Sequence, residues 1–292
     1  MANASYDMVV MLDYSTKSLK RFDGQTGAYL GEIGAGRMIR PRFVERGPNA
    51  GEIVVTDELD PVLKYSTIHV FNVHTGELKR QLYETGFQSL AGIHRDPTTG
   101  AYTVADVTTS TTLRLHTINS ALTGVTGFNA ATIAGVSVTA FGADVAVIGG
   151  VPWVAGYSNA YRRVDTSASS TSFSNGGMGV TTCFGTMRSR TGAAFTYVGS
   201  NGGGTLAAIG ATAISTTLTS VYGIGSGHEY DYVAGYRGGL PVIDVYNRSF
   251  LTGSFGTAQI TNPADMVVIT APEPAAWLGL SVGLLVLLKR RR

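Results

Sequence analysis

Apolar residues in this chain come in short runs broken by Gly, Asn, Asp, Ser and Thr. Met8-Val9-Val10-Met11-Leu12, bounded by Asp7 and Asp13, is one such run, and Glu52-Ile53-Val54-Val55-Thr56-Asp57 and Tyr232-Val233-Ala234-Gly235-Tyr236 are others. They are too short for helices and rich in β-branched and aromatic residues, so they predict strands. Val145-Ala146-Val147-Ile148 and Thr196-Tyr197-Val198 extend the pattern into the Thr-, Ser-, Gly- and Ala-rich middle of the chain, about residues 107–220. There the pattern favours strands over disorder, as degenerate repeats or as an inserted solenoid or sandwich. A hydrophobic fraction of 44% with 14% charged residues agrees with a packed core, and 38 glycines agree with many turns.

The strands recur with a shared grammar. Phe22-Asp23-Gly24-Gln25-Thr26-Gly27 matches Phe71-Asn72-Val73-His74-Thr75-Gly76, and each is followed by a further strand. Gly27 and Gly76 suit a turn position that needs positive φ. A weaker copy runs from Val245 to Gly253. A second element is Gly92-Ile93-His94-Arg95-Asp96-Pro97-Thr98-Thr99-Gly100, which leads into Ala101-Tyr102-Thr103-Val104-Ala105-Asp106. This turn followed by a strand ending in Asp resembles the opening of an NHL-type or YncE-like β-propeller blade, with that strand expected at the inner edge.

Outer-strand candidates fall near residues 22, 71, 115, 163, 207 and 245. Their mean spacing of roughly 45 residues is the period of four-stranded blades. The expected fold is therefore all-β: a propeller over residues 1–270, with six blades, or five or seven, followed by a short C-terminal transmembrane helix. Asp7-Met8-Val9-Val10 recurs as Asp265-Met266-Val267-Val268, so the two ends are expected to complete one shared blade and remove two exposed edges.

The last residues form a separate unit, 271–292. Pro272-Glu273-Pro274 blocks any helix from running back into the body. The 14 uncharged residues Ala275–Leu288 follow, with Trp277 near their start and Lys289, Arg290, Arg291 and Arg292 at the end. A full bilayer span takes about 20 residues, and snorkelling cations would lengthen this one. Cations kept in the cytoplasm leave the body on the far side of the membrane. This order of features resembles the PEP-CTERM sorting signal. The resemblance implies an exosortase-type membrane protease as partner, export, inner-membrane anchoring, and then release or transfer to the cell surface or extracellular matrix. Such proteins carry an N-terminal signal peptide, and Met1–Asp7 has neither the basic nor the apolar region of one, so the natural start is expected further upstream.

Charge narrows the partners. Four of the 22 basic residues are the last four of the chain, which leaves 18 against 20 acidic groups in residues 1–288. The body has no basic footprint for nucleic acid. Cys183 is the only cysteine and reads as a small buried apolar residue.

Candidate chemistry is sparse. None of His69, His74, His94, His116 and His228 forms a His-Glu-x-x-His pair, and His69 and His74 read as exposed turn residues. Asp57-Glu58-Leu59-Asp60 lacks Ca²⁺-loop spacing and reads as a solvated turn. Asn201-Gly202-Gly203-Gly204-Thr205 has no following Lys and reads as a flexible turn rather than a phosphate cradle. No cofactor, metal or catalytic set is expected. His94, Arg95, His228, Glu229 and Arg237 stand beside predicted loops at a channel mouth, where a propeller enzyme would place its side chains. Two functions follow as expectations. The first is a non-enzymatic exported propeller that binds polysaccharide or protein. The second is a secreted lyase or hydrolase acting on glycans or lactones.

Overall fold

The computed structural model describes residues 5–272, apart from segments at 59–64, 110–111, 133–142, 156–159, 165–170, 175–179, 189–190, 192, 202–204, 210–211 and 257. All regular structure among the described residues is β.

The strands form successive antiparallel meanders of four. β1 (Ser5–Asp13), β2 (Ser18–Asp23) and β3 (Tyr29–Ile33) are joined by the last strand, β24 (Pro263–Pro272), in the order β24-β1-β2-β3. Next come β4 (Pro41–Arg46), β5 (Glu52–Asp57), β6 (Thr67–Asn72) and β7 (Leu78–Leu82). The third set is β8 (Leu90–Arg95), β9 (Tyr102–Thr109), β10 (Thr112–Ile118) and β11 (Val125–Thr132). The fourth is β12 (Asp144–Ile148), β13 (Val151–Ala155), β14 (Ala160–Arg163) and β15 (Thr171–Ser174). The remaining sheet has eight strands. Its first half is β16 (Val180–Arg188), β17 (Ala194–Asn201), β18 (Thr205–Ala208) and β19 (Ile214–Ser215), and its second is β20 (Ser220–Ser226), β21 (Asp231–Arg237), β22 (Leu240–Asn247) and β23 (Phe250–Phe255). One register pair between strands, Asn201 with Ser220, fuses the two halves.

The first strands of the meanders pack side by side in a closed cycle, β24-β4-β8-β12-β16-β20 and back to β24, around a central channel. This is a β-propeller. Counted by hydrogen-bonded sheets it has five units, and the cycle of first strands has six members. Ring closure takes the expected form: β1 pairs antiparallel with β24, Val9 opposite Val268 and Val10 opposite Val267. The strands found between residues 107 and 220 continue the four-strand pattern.

Burial follows position in the blade. β4 is buried from Pro41 to Val44 and β6 from Thr67 to Phe71, because neighbouring blades cover both faces. The outermost strand β23 is almost wholly exposed. Several devices close the seams. At β24/β4, the Asp265 carboxylate accepts the Val44 N–H at 2.8 Å. At β12/β16, Asp144 Oδ2 accepts the Phe184 N–H at 2.6 Å. Thr56 Oγ donates to the Ala91 carbonyl at 2.7 Å between the second and third blades, and the Gly92 N–H donates to the Ala143 carbonyl at 2.7 Å between the third and fourth. At β16/β20 a glycine is required, since a Cβ on Gly185 would lie 2.2 Å from the Ile224 carbonyl oxygen.

The paired turn motifs have the same chemistry. Asp23 Oδ1 accepts the N–H groups of Gln25 and Thr26, and Asn72 Oδ1 accepts those of His74 and Thr75. Gly27 and Gly76 follow at φ of 70° and 74°. Asp96-Pro97-Thr98-Thr99-Gly100 builds the same turn, with Asp96 Oδ1 accepting from Thr98 and Thr99.

Several expectations are corrected. The strand ending in Asp106 is the second of its blade, and the channel strand is β8 before it. The six outer-strand candidates fall in or beside β2, β6, β10, β14, β18 and β22, which are third rather than outermost strands. His69 is fully buried instead of exposed: Gln81 donates to its Nδ1 at 3.2 Å, so Nε2 carries the proton toward Asp57 Oδ2 at 3.3 Å. Asp57 is equally buried and accepts the Ile39 and Arg40 N–H groups, while Glu58 pairs with Arg42, so these two acids form a structural clamp and not a solvated turn; Leu59 and Asp60 lie outside the described residues. His116 and Asp106 repeat the pairing one blade on, at 3.1 Å. His74 is exposed, as expected. The Gly202–Gly204 run lies outside the described residues.

Candidate functional site: the mouth of the central channel

The channel strands all run the same way and line a cavity of about 540 Å³, β4, β8 and β20 with their C-terminal ends, β12 with its first residues, and β16 and β24 with interior ones. Glu45-Arg46 closes β4, His94-Arg95 closes β8, and Ser226-Gly227-His228 continues from β20. Three of the five mouth candidates, His94, Arg95 and His228, therefore line the cavity, and Glu45 and Arg46 join them. Glu229 is absent from its lining, and Arg237 is engaged by Asp244 and by Ser254 Oγ at 3.2 Å. Strand direction separates these groups: Arg237 ends a second strand, which runs opposite to a first strand. The Glu-Arg pair carried no motif in the sequence. Its place at the end of a first strand, in register with His94-Arg95, is the signal that picks it out once blades are aligned.

Local bonding orients the mouth. Arg46 Nε donates to the Val268 carbonyl at 2.9 Å and Nη2 to the Ser226 carbonyl at 3.0 Å, so one side chain ties three channel strands. The Tyr102 hydroxyl donates to the Arg46 carbonyl at 3.0 Å, and the Arg95 guanidinium lies 6.0 Å from the centre of the Tyr102 ring. Glu45 Oε1 accepts the Arg46 N–H at 2.7 Å and Oε2 accepts that of Arg95 at 3.4 Å. His94 Nε2 and Arg95 Nε are buried without a hydrogen-bond partner. Burial holds His94 below the usual imidazole range despite the opposing pull of Glu45 and Asp96. The exposed His228 has its backbone N–H fixed by Asp7 Oδ1 at 2.7 Å.

Deeper in the channel stand Asp144 and Asp265, at seams on opposite sides of the ring. Loss of water pushes Asp144 up to about 7, against the pull of two backbone N–H groups and with help from Glu45. Burial, then the charge of Asp144, raises Asp265 well above the carboxylate range. Burial also raises the Cys183 thiol, which keeps it protonated and unreactive. No group of three or more His, Cys, Asp or Glu suited to a metal ion occurs among the described residues. Pro272 ends β24, where it pairs with Ser5. Glu273, Pro274, Trp277 and Lys289–Arg292, with the expected membrane helix, lie outside the described residues. Among the described residues no helix is long and apolar enough to cross a membrane.

No protein-family model and no curated protein matches this sequence. Solved structures do match in shape. A protein of unknown function from Bacteroides caccae superposes with a TM-score of 0.69 at 9% identity, over 91% of this chain and 99% of the other. A chain of a nidogen/laminin complex gives 0.65 at 9% identity, over 91% and 98%. A functionally unknown protein from Desulfotomaculum acetoxidans gives 0.53 at 14% identity, over 88% and 82%. At these identities the likeness establishes the fold, a β-propeller, and no activity.

Proposed function

We propose that this chain is a non-enzymatic six-bladed propeller, exported and sorted by an exosortase-type protease, that binds a polysaccharide or a protein through its channel mouth. Here the double sheet is read as two blades. One observation carries the binding role: the cavity wall holds two buried polar atoms without partners, His94 Nε2 and Arg95 Nε, beside groups that are engaged in holding strands. Asp144 and Asp265 accept backbone N–H groups across seams, and Arg46 donates to two carbonyls. A cavity of about 540 Å³ falls in the ordinary size range for ligand sites. The chain of the nidogen/laminin complex is a propeller of this shape found in a complex of proteins.

The sorting role rests on the tail. Pro-Glu-Pro begins on the last residue of the ring-closing strand, two residues beyond Thr270 of the mouth, so a membrane anchor there turns the mouth toward the bilayer until the tail is removed. A fusion of residues 271–292 behind a signal peptide is expected to be processed only in cells that contain an exosortase. Processing that persists after deletion of Pro272–Pro274 would sink this role.

A second reading is kept by a specific observation: His94, Arg95, Glu45 and His228 converge at one mouth, as a glycan lyase or hydrolase requires. Release of reducing or unsaturated ends from polysaccharide, abolished by His94→Gln, would establish it over the binding reading.

A further inference from the structure

Resting on the binding reading above, we propose that the mouth selects an acidic saccharide, with Arg46 and Arg95 taking the sugar carboxylate and Glu45 accepting from its ring hydroxyls. Two arginines open onto one cavity in a body whose formal charge is negative. Arg46 is held in place through Nε and Nη2, and that anchoring lowers the entropy cost of a further bond from its fork. Arg95 leans on Tyr102, whose hydroxyl bonds the Arg46 backbone carbonyl, so one tyrosine supports the Arg95 guanidinium and the main chain that carries Arg46. Buried donors without partners cost free energy in the free protein. Arg95 Nε is one such donor on the cavity wall, and His94 Nε2, a donor or an acceptor according to its tautomer, is a second buried polar atom there without a partner.

The negative groups of the cavity must be placed as well. Asp144 and Asp265 lie deeper and engage backbone N–H groups, and their raised proton affinity reduces the negative charge they set against an anion. Glu45 stays at the mouth, a few ångströms from Arg95 N, and would repel a simple anion. A uronate removes that conflict. Its carboxylate matches the arginine forks, and its hydroxyls donate to Glu45 while bonding with His94 or Thr186. A ligand bearing only negative charge leaves Glu45 unanswered, and a neutral sugar leaves the arginines without an anion.

The test uses the full chain and calorimetry with trigalacturonate, its methyl ester and cellotriose. Binding of the free acid is expected, weakened at least tenfold by esterification and by Arg95→Gln, and weakened further as salt rises. Arg46→Gln also loses two strand contacts, so its thermal unfolding is measured alongside, and Arg95→Gln decides the point. Equal affinity for acid and ester, or unchanged affinity in Arg95→Gln, overturns acid selection while leaving a binding site in place. Binding of cellotriose alone does the same. Binding of none of the three overturns the saccharide assignment, and capture of a protein partner at the same mouth would then preserve the broader reading.

Discussion

Asp144 gives the sharpest test of the channel's electrostatics. Its carboxyl titrates near pH 7 in the fold against a reference of 3.8. Below about pH 4 it is protonated whether folded or unfolded, and it contributes no pH dependence. Between 4 and 7 the unfolded chain releases the proton while the native state keeps it, so stability falls as pH rises. Above 7 the effect is complete. At 1.36 kcal/mol per pK unit the full loss is about 4 kcal/mol. Asp265 acts in the same direction. The depressed imidazole of His94 acts oppositely, favouring the native state as pH rises toward 6.5. The Asp144→Asn variant separates the contributions. It forfeits one of two acceptors, to Phe184 or Val145, which is a fixed cost, and it removes the titration. Urea unfolding of both proteins at half-unit steps from pH 4 to 8 should show the variant gaining on the parent as pH rises to 7, and still gaining above it because no Asp144 charge then opposes ionisation of Asp265. A stability difference that is flat with pH would refute the argument that Asp144 is held protonated by burial.

Three further outcomes follow from the packing. Gly185→Ala should cost about 1–3 kcal/mol or more in chemical unfolding, because its Cβ meets a backbone carbonyl that cannot swing aside. Gly27→Ala and Gly36→Ala share a positive φ, but only the first meets Phe255, at 2.6 Å, so Gly27→Ala should be the more destabilising by about 1 kcal/mol or more. His69→Ala should lose about 2–5 kcal/mol, through the cavity it leaves and the hydrogen bond it takes from the buried Asp57, and the thermal midpoint should fall with it.

Much of the fold is legible in the sequence. The Asp-Gly and Asn-Val turns ending in Thr-Gly are local: one Asx side chain bonds N–H groups two and three residues on, and the next glycine takes positive φ. Their spacing carries the repeat, and Asp-Met-Val-Val at both ends carries closure, because β1 and β24 must bury matching apolar residues. His69 is the instructive failure. Beside a turn and with an odd offset from His74 it reads as exposed, yet β6 lies third in its blade with a neighbour on either side. Its burial is set by Asp57, twelve residues away on another strand.

The candidate site divides the same way. His94, Arg95 and His228 can be picked out because they stand beside loops, but so do Glu229 and Arg237, and strand direction sends them elsewhere. The sequence by itself determined strand length, turn chemistry, repeat period and ring closure, since each depends on side chains acting over a few residues or on two matching segments. Only the tertiary structure decided that Asp144 and Asp265 lie across one channel and that Glu45-Arg46 meets His94-Arg95. Those neighbours are made by blades closing into a ring, and the water that closure expels sets both the proton affinity of the acids and the value of the unpartnered donors.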